Sequence, residues 1–310
     1  MLALRCEALS YAYGKNQALR GVDLEVAMGR VFGLLGPNGG GKTTLFKLAA
    51  TLTRPQLGVI EVLGRTLPMG GPEVRSRLGV VFQQPSLDKK LRVRENLKHH
   101  GRLYGMDSDR MARRSKELLE TLGVADRAED VVETLSGGLQ RRVEIAKALM
   151  PGPELLLMDE PSTGLDPGVR RDLWRYLSGL KDQGTSILVT THFLDEAERC
   201  DELAILDGGR VVAHGSPESL RRGVGGALVR VEVGAPDRVV EALKEVGKVT
   251  REGESVVVRF DTHDVGAATE AVRAAVTKVG VDLRSLSASP PCLEDVYAAA
   301  TGRSWREGVE

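Results

Sequence analysis

The chain has 310 residues, with 43 Lys and Arg against 43 Asp and Glu, 42% hydrophobic residues and 36 glycines. This length predicts roughly two domains of about 150 residues each, and the apolar content is sufficient to build a core, which excludes a disordered chain. The formal net charge of +0 argues against a protein whose whole surface binds nucleic acid, although it is compatible with a local basic patch.

Cysteine usage and hydropathy indicate the compartment. Cys6, Cys200 and Cys292 are far apart and odd in number, which predicts neither a disulfide framework nor a metal-ligand cluster. No apolar stretch approaches the roughly 18–20 residues that cross a bilayer. The first residues lack the basic region and apolar core of a signal peptide. We therefore expect a soluble intracellular chain whose membrane role, if it has one, comes through a partner.

Short, continuous apolar runs predict strands that are covered on both faces, as in a parallel α/β sheet. These runs span residues 31–35, 79–82, 155–158 and 186–189. Helical spacing lies between them. One stripe is formed by Leu45, Leu48, Ala49 and Leu52, and a second begins at Leu118, Leu119 and Leu122. Parallel sheets of this kind bind ligands beyond the carboxyl ends of their strands, where this chain has its unusual residues.

The pattern changes after residues 223–226, whose glycines predict a linker. Alternation predicts strands over 228–233 and 255–260, with helices over 237–246 and 267–279 and a further strand over 281–286. This order predicts a small α+β sandwich of roughly 60 residues. A final amphipathic helix is predicted by the shared face of Leu293, Val296, Tyr297 and Ala300.

A phosphate-binding loop is predicted directly after the strand at 31–35. The pattern G-x-x-x-x-G-K-[ST] is satisfied by Gly36, Pro37, Asn38, Gly39, Gly40, Gly41, Lys42, Thr43 and Thr44. Glycines are needed because backbone N–H groups must wrap a phosphate closely, and the helix N-terminus adds partial positive charge. We expect Lys42 to reach the β- and γ-phosphates of ATP and the Thr43 hydroxyl to bind Mg²⁺.

Two carboxylates end the apolar strand at 155–158. Asp159 and Glu160 would open on the same edge of the sheet as the phosphate loop. We expect Asp159 to hold Mg²⁺ through its water shell. Glu160 is the predicted general base, which orients and polarises the attacking water.

The segment Leu135-Ser136-Gly137-Gly138-Leu139-Gln140 resembles the LSGGQ signature of the nucleotide-binding subunits of ABC transporters. The resemblance covers about residues 1–220, with the motifs in the family's order. It implies a head-to-tail homodimer, in which Ser136, Gly137 and Gly138 of one subunit cap the γ-phosphate held by the other. The chain departs from the family at Leu139, where glutamine is usual, and at Gly40, where Ala or Ser is usual.

The resemblance extends to four single residues. Gln83 resembles the Q-loop glutamine that contacts Mg²⁺ or the water, with Gln84 as its rival. Asp166 resembles the D-loop aspartate that crosses the dimer, and His192 matches the switch histidine that contacts the γ-phosphate. Tyr13 resembles the A-loop aromatic that stacks on adenine, with Tyr11 as its rival. The other histidines, His99, His100, His214 and His263, are interpreted as structural or surface residues.

The implied fold class is α/β, a P-loop NTPase domain of the ABC type, with a mostly parallel sheet core and a helical subdomain. We expect this domain at residues 1–222, its helical subdomain at about 85–150, and a small α+β domain at 223–310. Leu87, Leu91, Val93 and Leu97 are candidates for a groove that receives a permease helix, with a buried subdomain core as an equal alternative.

The resemblance narrows further within the family. The stretch between Q-loop and signature and the C-terminal ending resemble daunorubicin-resistance-type exporter subunits. This implies an ATPase on the cytoplasmic face of the cell membrane, bound to a separately encoded integral-membrane permease, with no nucleic acid expected as partner. The alternatives are a stand-alone ABC-type ATPase that acts on nucleic acid, and a regulatory module that holds ATP without hydrolysing it.

Overall fold

The structure is a computed structural model that describes residues 1–252, 255–262 and 264–305, so His263 lies outside the described residues. The chain divides into two compact units, Met1–Val211 and Val212–Glu310. This division falls earlier in the chain than the predicted linker at 223–226. The first unit contains the phosphate loop, the acidic strand end and the signature.

The first unit is built on two sheets. Their strands are β1 (Leu2–Tyr13), β2 (Asn16–Ala27), β3 (Val31–Leu35), β4 (Leu57–Val62), β5 (Arg65–Thr66), β6 (Leu78–Val81), β7 (Leu155–Asp159), β8 (Ser186–Thr191), β9 (Glu202–Asp207) and β10 (Arg210–Gly215), which continues past the end of the unit at Val211. One sheet is antiparallel, with the order β2-β1-β4-β5. The other has the order β10-β9-β3-β8-β7-β6, in which β9, β3, β8, β7 and β6 are parallel. All four predicted strands belong to this second sheet.

Continuous apolar sequence explains the position of the central strands. Every residue of β3, β7 and β8 is buried, because the sheet separates two hydrophobic clusters that cover its two faces. The parallel arrangement brings the carboxyl ends of β3, β7 and β8 to one edge. The phosphate loop, Glu160 and His192 each follow one of these ends directly.

Seven helices of the first unit lie within the described residues. They are α1 (Lys42–Ala49), α2 (Gly71–Ser76), α3 (Val93–Leu103), α4 (Ser108–Thr121), α5 (Gly137–Leu149), α6 (Pro167–Asp182) and α7 (Leu194–Ala197). Three of them, α3, α4 and α5, lie between β6 and β7, in the expected helical subdomain. The stripe that was expected to include Leu52 is shorter than predicted. Helix α1 ends at Ala49, Thr51 adopts a φ of 60°, and Leu52 is 57% exposed.

The second unit contains an antiparallel sheet in the order β12-β13-β11-β14. Its elements are α8 (Pro217–Val224), β11 (Leu228–Val233), α9 (Pro236–Lys244), β12 (Lys248–Glu252), β13 (Ser255–Arg259), α10 (Val265–Val279), β14 (Leu283–Ser289) and α11 (Leu293–Thr301). From β11 to β14 the element order is βαββαβ, as in ferredoxin-like folds. In β11, Val229, Val231 and Val233 enter the core that this sheet shares with α9 and α10.

Three details of the second unit differ from the sequence predictions. The predicted linker is partly helical, because α8 continues to Val224 and ends where Gly225 adopts a φ of 126°. Strand β12 was not predicted. On α11, Leu293, Val296 and Tyr297 are buried as their spacing suggested, whereas Ala300 is exposed. Among the helices that the structure describes, none has the length and apolarity to cross a membrane.

Candidate active site

The phosphate loop connects the end of β3 to the start of α1, and three of its glycines have no room for a side chain. A Cβ on Gly36 would lie 2.1 Å from the carbonyl oxygen of Leu206. Gly41 precedes the helix with a φ of 108°, and a Cβ there would lie 2.6 Å from the carbonyl oxygen of Ala18. A Cβ on Gly40 would lie 2.7 Å from the carbonyl oxygen of Leu206. The packing of the loop against its neighbours therefore requires glycine at all three positions.

Lys42 is folded against its own loop. Its side chain is buried, and Nζ donates hydrogen bonds to the carbonyl oxygens of Gly36 (2.7 Å) and Pro37 (3.0 Å). Burial lowers the pKa of Lys42, while the charges of Glu160 and Asp159 act in the opposite direction. Thr43, next in the helix, is exposed, and Thr44 is buried. The start of α1 thus offers the buried ammonium of Lys42 and the exposed hydroxyl of Thr43.

Asp159 ends β7 as a buried carboxylate that is 5% exposed. Its Oδ1 accepts a hydrogen bond of 2.5 Å from Oγ1 of Thr190 on the neighbouring strand. Burial raises the pKa of Asp159, and the nearby charge of Glu160 raises it further. A carboxylate held in this environment is well suited to a divalent cation, which would offset the cost of its burial.

The residues expected to hold Mg²⁺ can be tested for fit. They offer the Thr43 hydroxyl, the Asp159 carboxylate and the Gln83 amide, all oxygen donors of the kind that Mg²⁺ prefers. No group of three or more His, Cys, Asp or Glu residues with the arrangement of a metal site occurs in the described ranges. This donor set fits a Mg²⁺ ion that takes its remaining ligands from water and substrate phosphates rather than from a protein cage.

Glu160 follows Asp159 in a left-handed backbone conformation, with a φ of 43°. Its N–H group points at Thr190, with distances of 3.1 Å to the carbonyl oxygen and 3.0 Å to Oγ1. The carboxylate meets three of the predicted site residues. Nε2 of Gln83 donates to Oε2 at 3.3 Å, Nζ of Lys42 lies 3.7 Å from Oε1, and Nδ1 of His192 lies 3.3 Å from Oε1.

The geometry distinguishes the two candidate glutamines, Gln83 and Gln84. It is Gln83, and not the adjacent Gln84, whose amide bonds to Glu160. His192 follows β8 directly, and its Nδ1 is buried close to Glu160 without the alignment of a hydrogen bond. The side chain of His192 remains 18% exposed. The structure therefore brings Lys42, Gln83, Glu160 and His192 together at one edge of the sheet.

The signature forms the N-terminus of α5. Ser136 is the N-cap, with its Oγ 3.4 Å from the N–H of Leu139, and Gly137 and Gly138 occupy the first turn. Ser136 and Gly137 are exposed. Leu139 packs against the subdomain core, which accounts for an apolar residue where the family usually has glutamine. In the described chain, no hydrogen bond or ion pair connects Ser136 to Lys42 or Glu160.

Asp166 and Tyr13 make local contacts of their own. Asp166 caps α6, and its Oδ1 accepts hydrogen bonds of 3.0 Å from the N–H groups of Gly168 and Val169. Tyr13 is 47% exposed, whereas Tyr11 packs against the core of the antiparallel sheet. Their rings meet edge to face, with centroids 4.9 Å apart.

The four apolar residues considered for a permease groove are found in or near the core of the helical subdomain. Leu87, Val93 and Leu97 are buried in its core, and Leu91 is partly buried. The structure thus favours the core interpretation over the groove.

Sequence reasoning missed Arg141, a buried arginine of the signature helix that donates to the backbone on both sides of Glu160. A possible signal was the i, i+3 pairing of Arg141 with Glu144 on an otherwise apolar helix face.

Comparisons with known proteins identify the family. The profile of the family described as ABC transporter matches residues 19–163. The chain is 37% identical to the daunorubicin resistance ATP-binding protein DrrA3 of Streptomyces coeruleorubidus, over 97% of this chain and 96% of that protein. It is 40% identical to the Nod factor export ATP-binding protein I of Cupriavidus metallidurans, over 95% of this chain and 96% of that protein.

Solved structures resemble the larger part of the chain. CbiO1 from Clostridium perfringens, part of the ABC transporter complex cbiONQ, has a TM-score of 0.66 and 28% identity, covering 72% of this chain and 94% of that chain. The dimeric bacterial ABC transporter cassette MJ0796 has a TM-score of 0.64 and 26% identity, covering 69% of this chain and 98% of that chain. A post-hydrolysis dimer of the same cassette holds ADP and Pi.

Proposed function

Since the chain belongs to the ABC transporter family of ATP-binding subunits and is an ATPase of that family, we propose that two copies bind two MgATP at a shared head-to-tail interface. The pair closes when nucleotide is bound and reopens after hydrolysis. Closure is a population shift, driven by the tighter binding of ATP to the closed state. The motion is passed to an integral-membrane subunit.

The observation that carries this proposal is the convergence on Glu160. A lysine, a glutamine amide and a histidine ring approach one carboxylate that stands between the phosphate loop and the strand of Asp159. Glu160 acts as the general base that orients and polarises the attacking water. Gln83 and His192 hold that carboxylate and the water in place. When bound, Mg²⁺ supplies charge neutralisation for the phosphates, with Thr43, Asp159 and Gln83 as the residues that hold it.

Each subunit contributes half of every site. Lys42 and the loop N–H groups bind the phosphates of one nucleotide. Ser136, Gly137 and Gly138 of the second copy cap the same γ-phosphate through a hydroxyl, free N–H groups and a helix dipole. Asp166 contributes to the interface. The exposure of Ser136 at the N-terminus of α5 supports this arrangement.

We infer that the transporter to which this chain belongs exports its substrate. The relatives include daunorubicin-resistance and Nod factor export ATP-binding proteins, which share 37% and 40% identity with this chain over nearly its full length. On this basis the chain acts at the cytoplasmic face of the cell membrane, attached to a permease that is a separate polypeptide. The substrate contacts that permease rather than the ATPase.

The Glu160→Gln variant tests the proposal. It keeps the size and hydrogen-bonding reach of the side chain but loses the base, so turnover should stop while an ATP-dependent dimer becomes visible by size-exclusion chromatography with MgATP. A variant that hydrolyses ATP at the wild-type rate would remove Glu160 from the mechanism. An inactive variant that stays monomeric with saturating MgATP would contradict the shared interface.

A further inference from the structure

A buried arginine joins the signature helix to the backbone of the reaction site. Arg141 lies one turn after the signature glycines on α5, and it is 7% exposed. Its guanidinium donates to three backbone carbonyls from two separate segments, one that follows β6 and one at the end of β7. They belong to Phe82 (Nη1, 2.5 Å), Asp159 (Nη2, 3.3 Å) and Pro161 (Nε, 2.9 Å).

These three carbonyls adjoin the groups proposed to react. Phe82 immediately precedes Gln83, while Asp159 and Pro161 lie on either side of Glu160. The guanidinium therefore bridges the two segments next to the points where the side chains of Gln83 and Glu160 begin. Beyond it, Nε2 of Gln83 and Oε2 of Glu160 are 3.3 Å apart.

The next turn of α5 extends the network to the segment after Gln83. Glu144 is fully buried, and its Oε2 accepts a hydrogen bond of 2.9 Å from Arg141. Its Oε1 accepts from the N–H (2.6 Å) and the hydroxyl (2.9 Å) of Ser86. Nζ of Lys147 donates to the carbonyl oxygen of Ser86 at 2.7 Å. One face of the signature helix thus holds the loop of Gln83 at both of its ends.

We propose that Arg141 is a positioning residue for ATP hydrolysis, which couples the orientation of the signature helix to the placement of Glu160 and Gln83. The inference rests on the role proposed above for Glu160. A buried ion pair that served stability alone would need only Glu144 as partner. The three carbonyl bonds use the planar fork of arginine, which the single ammonium of lysine cannot reproduce.

The test compares Arg141→Lys with Arg142→Lys in the full-length chain. Arg142 is the adjacent residue of the same helix. It donates to the carbonyl oxygen of Leu122 (3.1 Å), and its Nη2 lies 3.5 Å from Oδ2 of Asp172, so its partners belong to neither segment that Arg141 bridges. We expect Arg141→Lys to lower kcat at least tenfold while KM for ATP stays within about twofold, because misplaced groups slow the chemical step more than they weaken binding. Arg142→Lys should change neither.

A second variant, Ser86→Ala, provides a test in case Arg141→Lys does not fold. Ser86 is exposed, and Ser86→Ala removes a hydroxyl that donates to Oε1 of Glu144 (2.9 Å) and accepts from Nζ of Lys147 (2.6 Å), without opening the core. We expect its kcat to fall about threefold, because the segment after Gln83 loses these two bonds to α5 but keeps the backbone bonds of Ser86, and its Tm to stay close to that of the wild type. Wild-type kcat in this variant would overturn the inference if Arg141→Lys did not fold.

The outcomes separate the inference from the proposed function. Wild-type kcat in Arg141→Lys, with Glu160→Gln inactive, would show that Arg141 has no positioning role while Glu160 remains the base. A fall in kcat shared by Arg141→Lys and Arg142→Lys, in step with a lowered Tm, would overturn the inference and indicate a structural role. Turnover by Glu160→Gln would instead contradict the proposed function.

Discussion

Nζ of Lys42 lies 3.7 Å from Oε1 of Glu160, so the phosphate-loop cation and the proposed general base are already neighbours before any nucleotide charge is considered. The ammonium is also bonded to two carbonyl oxygens of its own loop. Phosphate oxygens would compete with these carbonyl oxygens for the Lys42 ammonium. They carry a negative charge, and charge-assisted hydrogen bonds are about twice as strong as neutral ones.

Lys42→Ala removes that cation from the phosphate site. We expect the affinity for MgATP to fall at least tenfold, because a charge-assisted hydrogen bond contributes about 1.5–3 kcal/mol. Isothermal titration calorimetry measures the change. Lys47→Ala, an exposed lysine of the same helix, serves as the matched control. An unchanged dissociation constant in Lys42→Ala would contradict the assignment of the phosphate loop.

Tyr13 and Tyr11 can be distinguished by substitution. Tyr13 is the exposed ring, and if it stacks on adenine, Tyr13→Ala should weaken ATP binding by about 1–3 kcal/mol with little change in Tm. Tyr11→Ala should lower Tm instead, since its ring packs against the core. Nucleotide titration and differential scanning fluorimetry are the two measurements. Equal ATP affinity in Tyr13→Ala and wild type would assign Tyr13 to surface packing.

Asp159 links stability to pH. Burial and the charge of Glu160 raise its pKa, so the carboxylate makes folding less favourable at neutral pH. That cost disappears as pH falls through the raised pKa, because the folded state then takes up the proton that relieves it. Asp159→Asn should therefore have a higher Tm than wild type at pH 7 without nucleotide, and the difference should vanish in acid.

The size of the Asp159→Asn effect can be judged from the chain length. A domain of this size gains about 2–4 °C in Tm for each kcal/mol. The exposed Asp126→Asn is the control and should leave Tm unchanged. Hydrolysis by Asp159→Asn should be lost, since the predicted Mg²⁺ ligand is gone. A lower Tm than wild type at pH 7 would show that the Thr190 hydrogen bond outweighs the cost of burial.

Complementation tests the shared site directly. Ser136→Phe should block closure by the signature while leaving MgATP binding by the same chain intact, and Lys42→Ala should have the opposite defect. Each variant alone should be inactive. Their equimolar mixture should recover up to about a quarter of the wild-type rate, because half of randomly assorted head-to-tail dimers are mixed and each has one intact site. A mixture without activity would argue against sites built from two chains.

The sequence indicated those parts of the fold that local pattern controls. Buried parallel strands such as 155–158 are continuous apolar runs, and the ligand-binding residues follow their ends in a recognisable order. The end of α1 before Leu52 was harder to predict. The helix ends where Thr51 adopts a left-handed backbone conformation, and the sequence shows no change in polarity there. Likewise, β12 has the polar sequence of an edge strand and carries no hydrophobic signal.

The internal support of the site could not have been predicted in the same way. Arg141 bonds to carbonyls that lie 59 and 20 residues away in sequence, those of Phe82 and Pro161. Backbone carbonyls carry no residue-type signature, so only the folded arrangement identifies them as partners. The choice between Gln83 and Gln84 was open for a similar reason, since one peptide step decides which amide faces Glu160.

The positive φ of Glu160 has a consequence for the evolution of this chain toward greater stability. A left-handed conformation costs a non-glycine residue about 1–3 kcal/mol, and here two contacts of its N–H group with Thr190 help to retain it. Glycine would relax that backbone at no steric cost, yet it would erase the carboxylate that we propose as the general base. Selection for thermal robustness and selection for catalysis therefore pull in opposite directions at this one peptide.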